Sequence, residues 1–93
     1  MPKLLIIGKF VFTIFSADIE EKRRHVHIIS KKGRKYIVAK IWLEPNIEVE
    51  KTGNFSKEEI NTILKLIEEN SVIINEQLDL FYKGEKVKSI KLK

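Results

Sequence analysis

Cysteine is absent from the sequence, tryptophan and methionine occur once each, and proline and histidine occur twice each. Without thiols there is no disulfide, no thiolate nucleophile and no cysteine-ligated metal. In so small a chain that absence points to a reducing, cytoplasmic setting. No run approaches the ~20 apolar residues of a membrane-spanning helix, so no membrane role is expected. Lys3 followed by the apolar stretch Leu4 to Ala17 has the outline of a secretory leader, but Gly8 and Lys9 break it at its middle, and it reads better as two core strands. Also missing are a glycine-rich phosphate loop, a serine-nucleophile signature and paired carboxylates in an apolar setting. These gaps lean the reading away from an enzyme, and no cofactor is expected.

What is present is a globular composition. The 93 residues are 43% hydrophobic and include five phenylalanines, enough for one domain over residues 1–93 with a thin core. The net charge of +5 is unevenly spread. Lys22 to Lys40 holds eight of the eighteen basic residues and Lys83 to Lys93 five, whereas nine of the thirteen carboxylates lie between Glu44 and Asp79. A basic segment of this kind suits an acidic protein or a nucleic acid, or it simply solvates a surface.

Leu4 to Ile7 and Phe10 to Ser16 read as a hairpin turning at Gly8-Lys9, with Phe10, Phe12 and Ile14 on one face of the second strand. Asp18 to Arg24 is polar and reads as an exposed loop. A second hairpin is predicted with Lys32-Gly33 as its two-residue turn, which pairs Ser30 with Lys35, Ile28 with Ile37 and Val26 with Ala39 on an apolar side. On the mixed side the same register pairs Ile29 with Tyr36, His27 with Val38, His25 with Lys40 and Arg23 with Trp42; a one-residue slip would scramble both faces. Ile47 to Glu50 reads as a short edge strand. Ser56 and Glu59 then form a capping box, with Phe55 placed to staple on Ile60. Ile60, Ile63, Leu64 and Ile67 predict a helix to about Glu69. After Asn70-Ser71 a second helix runs from about Val72 to Tyr82, with Ile74, Leu78, Phe81 and Tyr82 on one side and Gly84 closing it. Val87 to Leu92 adds a short strand. The expected fold is α+β, a four- or five-stranded, mainly antiparallel sheet with two helices on one face.

The mixed side of the second hairpin holds the candidate site. His25 and His27 project from one face of a strand and can hold a metal if Glu44 or Asp18 supplies a third ligand, although Lys40 across from His25 would repel a cation; no metal is expected. Arg23, Arg24, Lys31, Lys32, Arg34 and Lys35 can contact phosphates while Tyr36, Trp42 or the rings of His25 and His27 stack on bases. In a catalytic version His25 and His27 would move protons during RNA cleavage, with Lys40 stabilising phosphate charge. The preferred reading takes Tyr36 and Trp42 among Arg23, Arg24, His25, His27, Arg34, Lys35 and Lys40 as a protein-docking surface. The competing reading is Trp42 as ordinary core and a solvated hairpin, with Arg23 over Trp42 as a cation–π pair.

The residues His25-Val26-His27, Ala39-Lys40-Ile41-Trp42-Leu43-Glu44-Pro45 and Asn54-Phe55-Ser56 through Leu66-Ile67 resemble, in order and spacing, the small bacterial proteins of the domain of unknown function family 4160. The chain departs from that pattern in having Arg23-Arg24 where the family usually has prolines, Leu78 where it often has tryptophan, and a longer, more basic hairpin from Lys31 to Lys35. The resemblance implies no activity or catalytic residue. It implies a protein partner, the product of an adjacent gene, because members stand in two-gene arrangements suspected to be toxin–antitoxin pairs. The expectation is therefore a partner-binding protein of such a pair, with a nucleic-acid-binding, RNA-cleaving protein as the alternative and no oligomeric state assigned.

Overall fold

A computed structural model of the chain describes residues 3–15 and 23–92. Six strands and two helices follow one another as β1 (Lys3–Ile7), β2 (Phe10–Thr13), β3 (His25–Lys32), β4 (Lys35–Trp42), β5 (Glu48–Lys51), α1 (Lys57–Glu69), α2 (Ser71–Tyr82) and β6 (Ile90–Leu92). The α+β class is as expected, but the sheet has six strands rather than four or five, in the order β5-β4-β3-β2-β1-β6. Its four sequential pairings are antiparallel, and β6 returns to lie parallel to β1, so the sheet is mixed.

The alternation of apolar residues explains the core. Leu5, Ile7, Phe10, Phe12, Ile14, Val26, Ile28, Ala39 and Ile41 are buried in one cluster with Ile60, Ile63 and Ile67 of α1 and Ile74, Leu78 and Phe81 of α2. The helices thus cover the apolar side of the sheet, the arrangement by which a one-sided sheet removes its hydrophobic face from water. The mixed side of the second hairpin looks the other way.

α1 starts as its sequence requires. Ser56 Oγ accepts from the Glu59 amide at 3.2 Å while the Glu59 carboxylate accepts from the Ser56 amide at 3.0 Å, a complete capping box. Asn70 separates the helices, closing α1 through its amide and side chain, both donating to the Leu66 carbonyl. α2 ends in a Schellman motif: the Glu85 amide reaches the Leu80 carbonyl and the Gly84 amide the Phe81 carbonyl, with Gly84 at φ +76°.

The parallel docking of β6 depends on a buried polar residue. Gln77 of α2 donates through Nε2 to the Leu4 carbonyl at 2.9 Å and to the Lys88 carbonyl at 2.5 Å, joining β1 to the segment before β6. Replacing it by leucine keeps the volume and strands two carbonyls. Gln77→Leu is expected to cost about 1–2 kcal/mol, with loss of amide protection confined first to β6; hydrogen exchange on the variant checks both.

Candidate functional site

The second hairpin turns at Gly33-Arg34, one residue later than predicted, because Lys32 pairs with Lys35. The register therefore shifts by two residues and the parity is unchanged: His25, His27 and Ile29 still share a face with Tyr36, Val38, Lys40 and Trp42, but the partners differ. His25 lies opposite Trp42, not Lys40, and His27 lies opposite Lys40, not Val38. Arg23, predicted opposite Trp42 in the ladder, precedes β3 and instead lays its guanidinium over the Trp42 ring, 4.3 Å from the centroid.

The nine residues of the predicted surface separate into two groups. At one end of the open face the cations are engaged within the protein. Arg23 donates through Nε to the Glu44 carbonyl and pairs with Glu48 at 3.4 Å. Arg24 pairs with Asp79, donates to Asn75 Oδ1 at 3.0 Å, and has Glu44 at 3.8 Å, so it clamps the start of β3 onto α2. The Arg24 guanidinium holds the Asp79 carboxyl below its ordinary range. Lys40 sits 4.4 Å from the Trp42 centroid and 3.1 Å from Glu50. His25 is 0% exposed. Its ring meets Trp42 and His27 edge-on, with centroids 5.3 and 5.2 Å away, and its Nδ1 lies 3.2 Å from the Arg23 carbonyl oxygen. The face is shared as the hairpin pattern requires, yet His25 is sealed within it and Trp42 is half-buried.

At the other end the hairpin tip stands in solvent. Tyr36 is 68% and Val38 39% exposed. With Lys3, Val11 and Ile29 they line a shallow cavity of about 390 Å³. Lys31 places its ammonium 6.0 Å from the Tyr36 centroid, and Arg34 in the turn and Lys35, which alternates to the helix side of β4, are exposed at the same tip. Among the described residues none of these three has a carboxylate at ion-pair distance, whereas Lys32 is bound to Glu59 of α1 at 2.6 Å.

A second cavity, of about 430 Å³, lies beside Val38 and is lined by Phe15, His27, Val38, Ala39, Lys40 and Lys51. Lys51 is the lining cation that the sequence reading missed; its placement depends on an irregularity in β5 that composition does not reveal. Among the described residues no three His, Cys, Asp or Glu side chains come together as metal ligands, and Glu44 faces Arg24. Asp18, the other predicted ligand, and most of the predicted 18–24 loop lie outside the described residues. Among the described residues no helix is long and apolar enough to cross a membrane.

No curated protein and no solved structure gives a significant match to the chain. A family model described as Domain of unknown function (DUF4160) matches residues 10–77, from the start of β2 into α2, so the match takes in the whole second hairpin, the edge strand and the capped helix. The strand pair carrying His25, His27, Lys40 and Trp42 and the helix entered through Ser56 are thus those of the Domain of unknown function (DUF4160) family, to which this chain belongs.

Proposed function

We propose that the protein is a non-catalytic partner-binding module, one component of a toxin–antitoxin-like pair, acting in the cytoplasm, and that an acidic protein docks on the tip of its second hairpin. The observation that carries this reading is Tyr36, exposed to 68% on the face turned from the helices. An apolar floor of Val11, Ile29 and Val38 adjoins it, Lys31 holds its ammonium 6.0 Å from the ring centroid, and Arg34 and Lys35 add positive charge at the exposed tip. Aromatic anchors ringed by arginine and lysine carry much of the energy of protein interfaces, and a cationic rim selects an acidic partner and speeds its approach.

The experiment is co-purification with the product of the adjacent gene, followed by titration. A complex is expected at micromolar concentration or tighter. Tyr36→Ala should weaken it about 30-fold, equivalent to about 2 kcal/mol, and the pair Arg34→Glu with Lys35→Glu should slow association most at low salt. Absence of a complex at micromolar concentrations, or a complex indifferent to all three substitutions, refutes the reading.

The same exposed cations favour nucleic acid as the second reading. Binding would then weaken uniformly across sequences in Arg34→Ala and Lys35→Ala and fall steeply with salt. RNA cleavage through His25 and His27 has less support, because His25 offers a substrate no accessible surface.

A further inference from the structure

Across the open face one cross-strand row runs Thr13, His27, Lys40, Lys51 on β2, β3, β4 and β5. Strict alternation along β5 would not complete it. Val49 pairs with Ile41, whose side chain is in the core, and two residues further Lys51 should fall on that same side. The ladder slips between Lys40 and Ile41, leaving Glu50 as an extra residue, so Lys51 pairs with Lys40 on the open face instead. A bulge of this kind re-aims a side chain, and such irregularities are over-represented at sheet edges, where β5 lies, and next to functional sites. Here it sets two lysines directly opposite each other, a pairing of like charges that costs stability on a bare sheet. Glu50 offsets the charge of Lys40 at 3.1 Å. Lys51 is exposed and, among the described residues, has no carboxylate at ion-pair distance.

These groups border the cavity of about 430 Å³, a volume in the range of small-molecule sites. Its walls are of two kinds. Lys51, Lys40 and the His27 imidazole supply donors along one row, while Phe15, tilted against the His27 ring with centroids 4.4 Å apart, and Val38 supply an apolar side. We propose that this cleft binds a phosphate monoester carried on a planar ring. The phosphate, close to two negative charges at neutral pH, would sit between Lys51 and His27, with Lys40 as a further donor and the ring against Phe15 and Val38. The site is separate from the hairpin tip and does not depend on what docks there.

Trp42 reports on the site, since it is the single tryptophan and has the Lys40 ammonium 4.4 Å from its ring centroid. Its emission should be titrated with phenyl phosphate and with adenosine 5′-monophosphate. Phenol, adenosine and inorganic phosphate serve as the separated halves. Saturable change with either ester is expected, at a concentration at least about tenfold below that needed for its halves. Lys51→Ala should weaken the ester about tenfold or more, with the circular dichroism unchanged, while Lys35→Ala, removing an equally exposed cation from the hairpin tip, should leave it as in the unsubstituted protein. No saturable change with either ester up to about 10 mM overturns the proposal. So does equal weakening by Lys35→Ala and Lys51→Ala, which would mean general attraction to a basic protein.

Discussion

Gly53→Ala is expected to destabilise the protein by about 2–5 kcal/mol, the sum of a left-handed backbone cost of about 1–2 and an overpacking cost of about 1–3 kcal/mol. Gly53 follows β5 with φ +59°, and an ideal Cβ there would lie 1.8 Å from the Val38 carbonyl oxygen and 2.4 Å from the Val38 carbonyl carbon. Neither atom can swing aside as a flexible side chain would, because both belong to the backbone of β4. The chain leaving β5 has to back away, and with it the edge of the sheet beside both cavities, which share Val38. Gly33→Ala is the control. Gly33 has φ +62° but nothing within 4 Å of the added carbon, so it should show the conformational cost of about 1–2 kcal/mol alone. Denaturant unfolding of the two variants checks this. A Gly53→Ala cost no larger than that of Gly33→Ala would mean that the close approach to Val38 does not exist in solution.

That same segment shows what a sequence can and cannot reveal. The faces of the second hairpin were legible because side chains alternate with period two, so an error of two residues in the register leaves every residue on its predicted side. The turn itself was not. Gly33 can serve as either member of a two-residue turn, and both choices put two cations opposite each other beside it, Lys31 with Arg34 or, as observed, Lys32 with Lys35, so local charge does not decide between them. The observed choice is favoured by a contact that no local pattern reveals, the bond from Lys32 to Glu59, twenty-seven positions away on α1. The Ser56 capping box was legible since all its parts lie within four residues. The burial of His25 was not, because it depends on Arg23 and Trp42 folding over the strand, and a strand pattern gives the side a ring faces without saying what covers it. The parallel partner of β1 was equally hidden, being joined through Gln77, which reads in sequence as one more polar position on a helix.

For the candidate site the consequence is a division of labour among residues that look alike in sequence. Of the predicted cations, Arg23 and Arg24 hold the start of β3 against β5 and α2, whereas Arg34 and Lys35 stand clear of any carboxylate among the described residues. Arg24→Ala should therefore act on stability first and on any partner second. Lys35→Ala should do the reverse.

Glu59→Gln should lower the melting temperature at pH 7 and remove one contribution to the protein's sensitivity to acid. The Glu59 carboxylate accepts from Lys32 at 2.6 Å, from Lys9 at 2.9 Å and from the Ser56 amide at 3.0 Å, tying the tips of both hairpins to the start of α1. The Lys32 ammonium, then the Ser56 amide and Lys9, hold this carboxyl far below the ordinary carboxylate range. A carboxyl depressed in the folded state contributes its full stabilisation above its unfolded pKa of about 4.3 and loses it as pH falls below that value. Glutamine can still accept from Ser56 and so preserves the capping box, but it carries no charge for the two lysines. The melting-temperature gap between the unsubstituted protein and Glu59→Gln should thus be widest near neutral pH and narrow steadily from about pH 4 downward. It should also narrow at pH 7 with added salt, because Lys9 and Lys32 are partly exposed. A gap that stays constant from pH 7 to pH 3 would show that the charge of Glu59 contributes nothing, leaving α1 anchored to the hairpins by its apolar stripe and its cap.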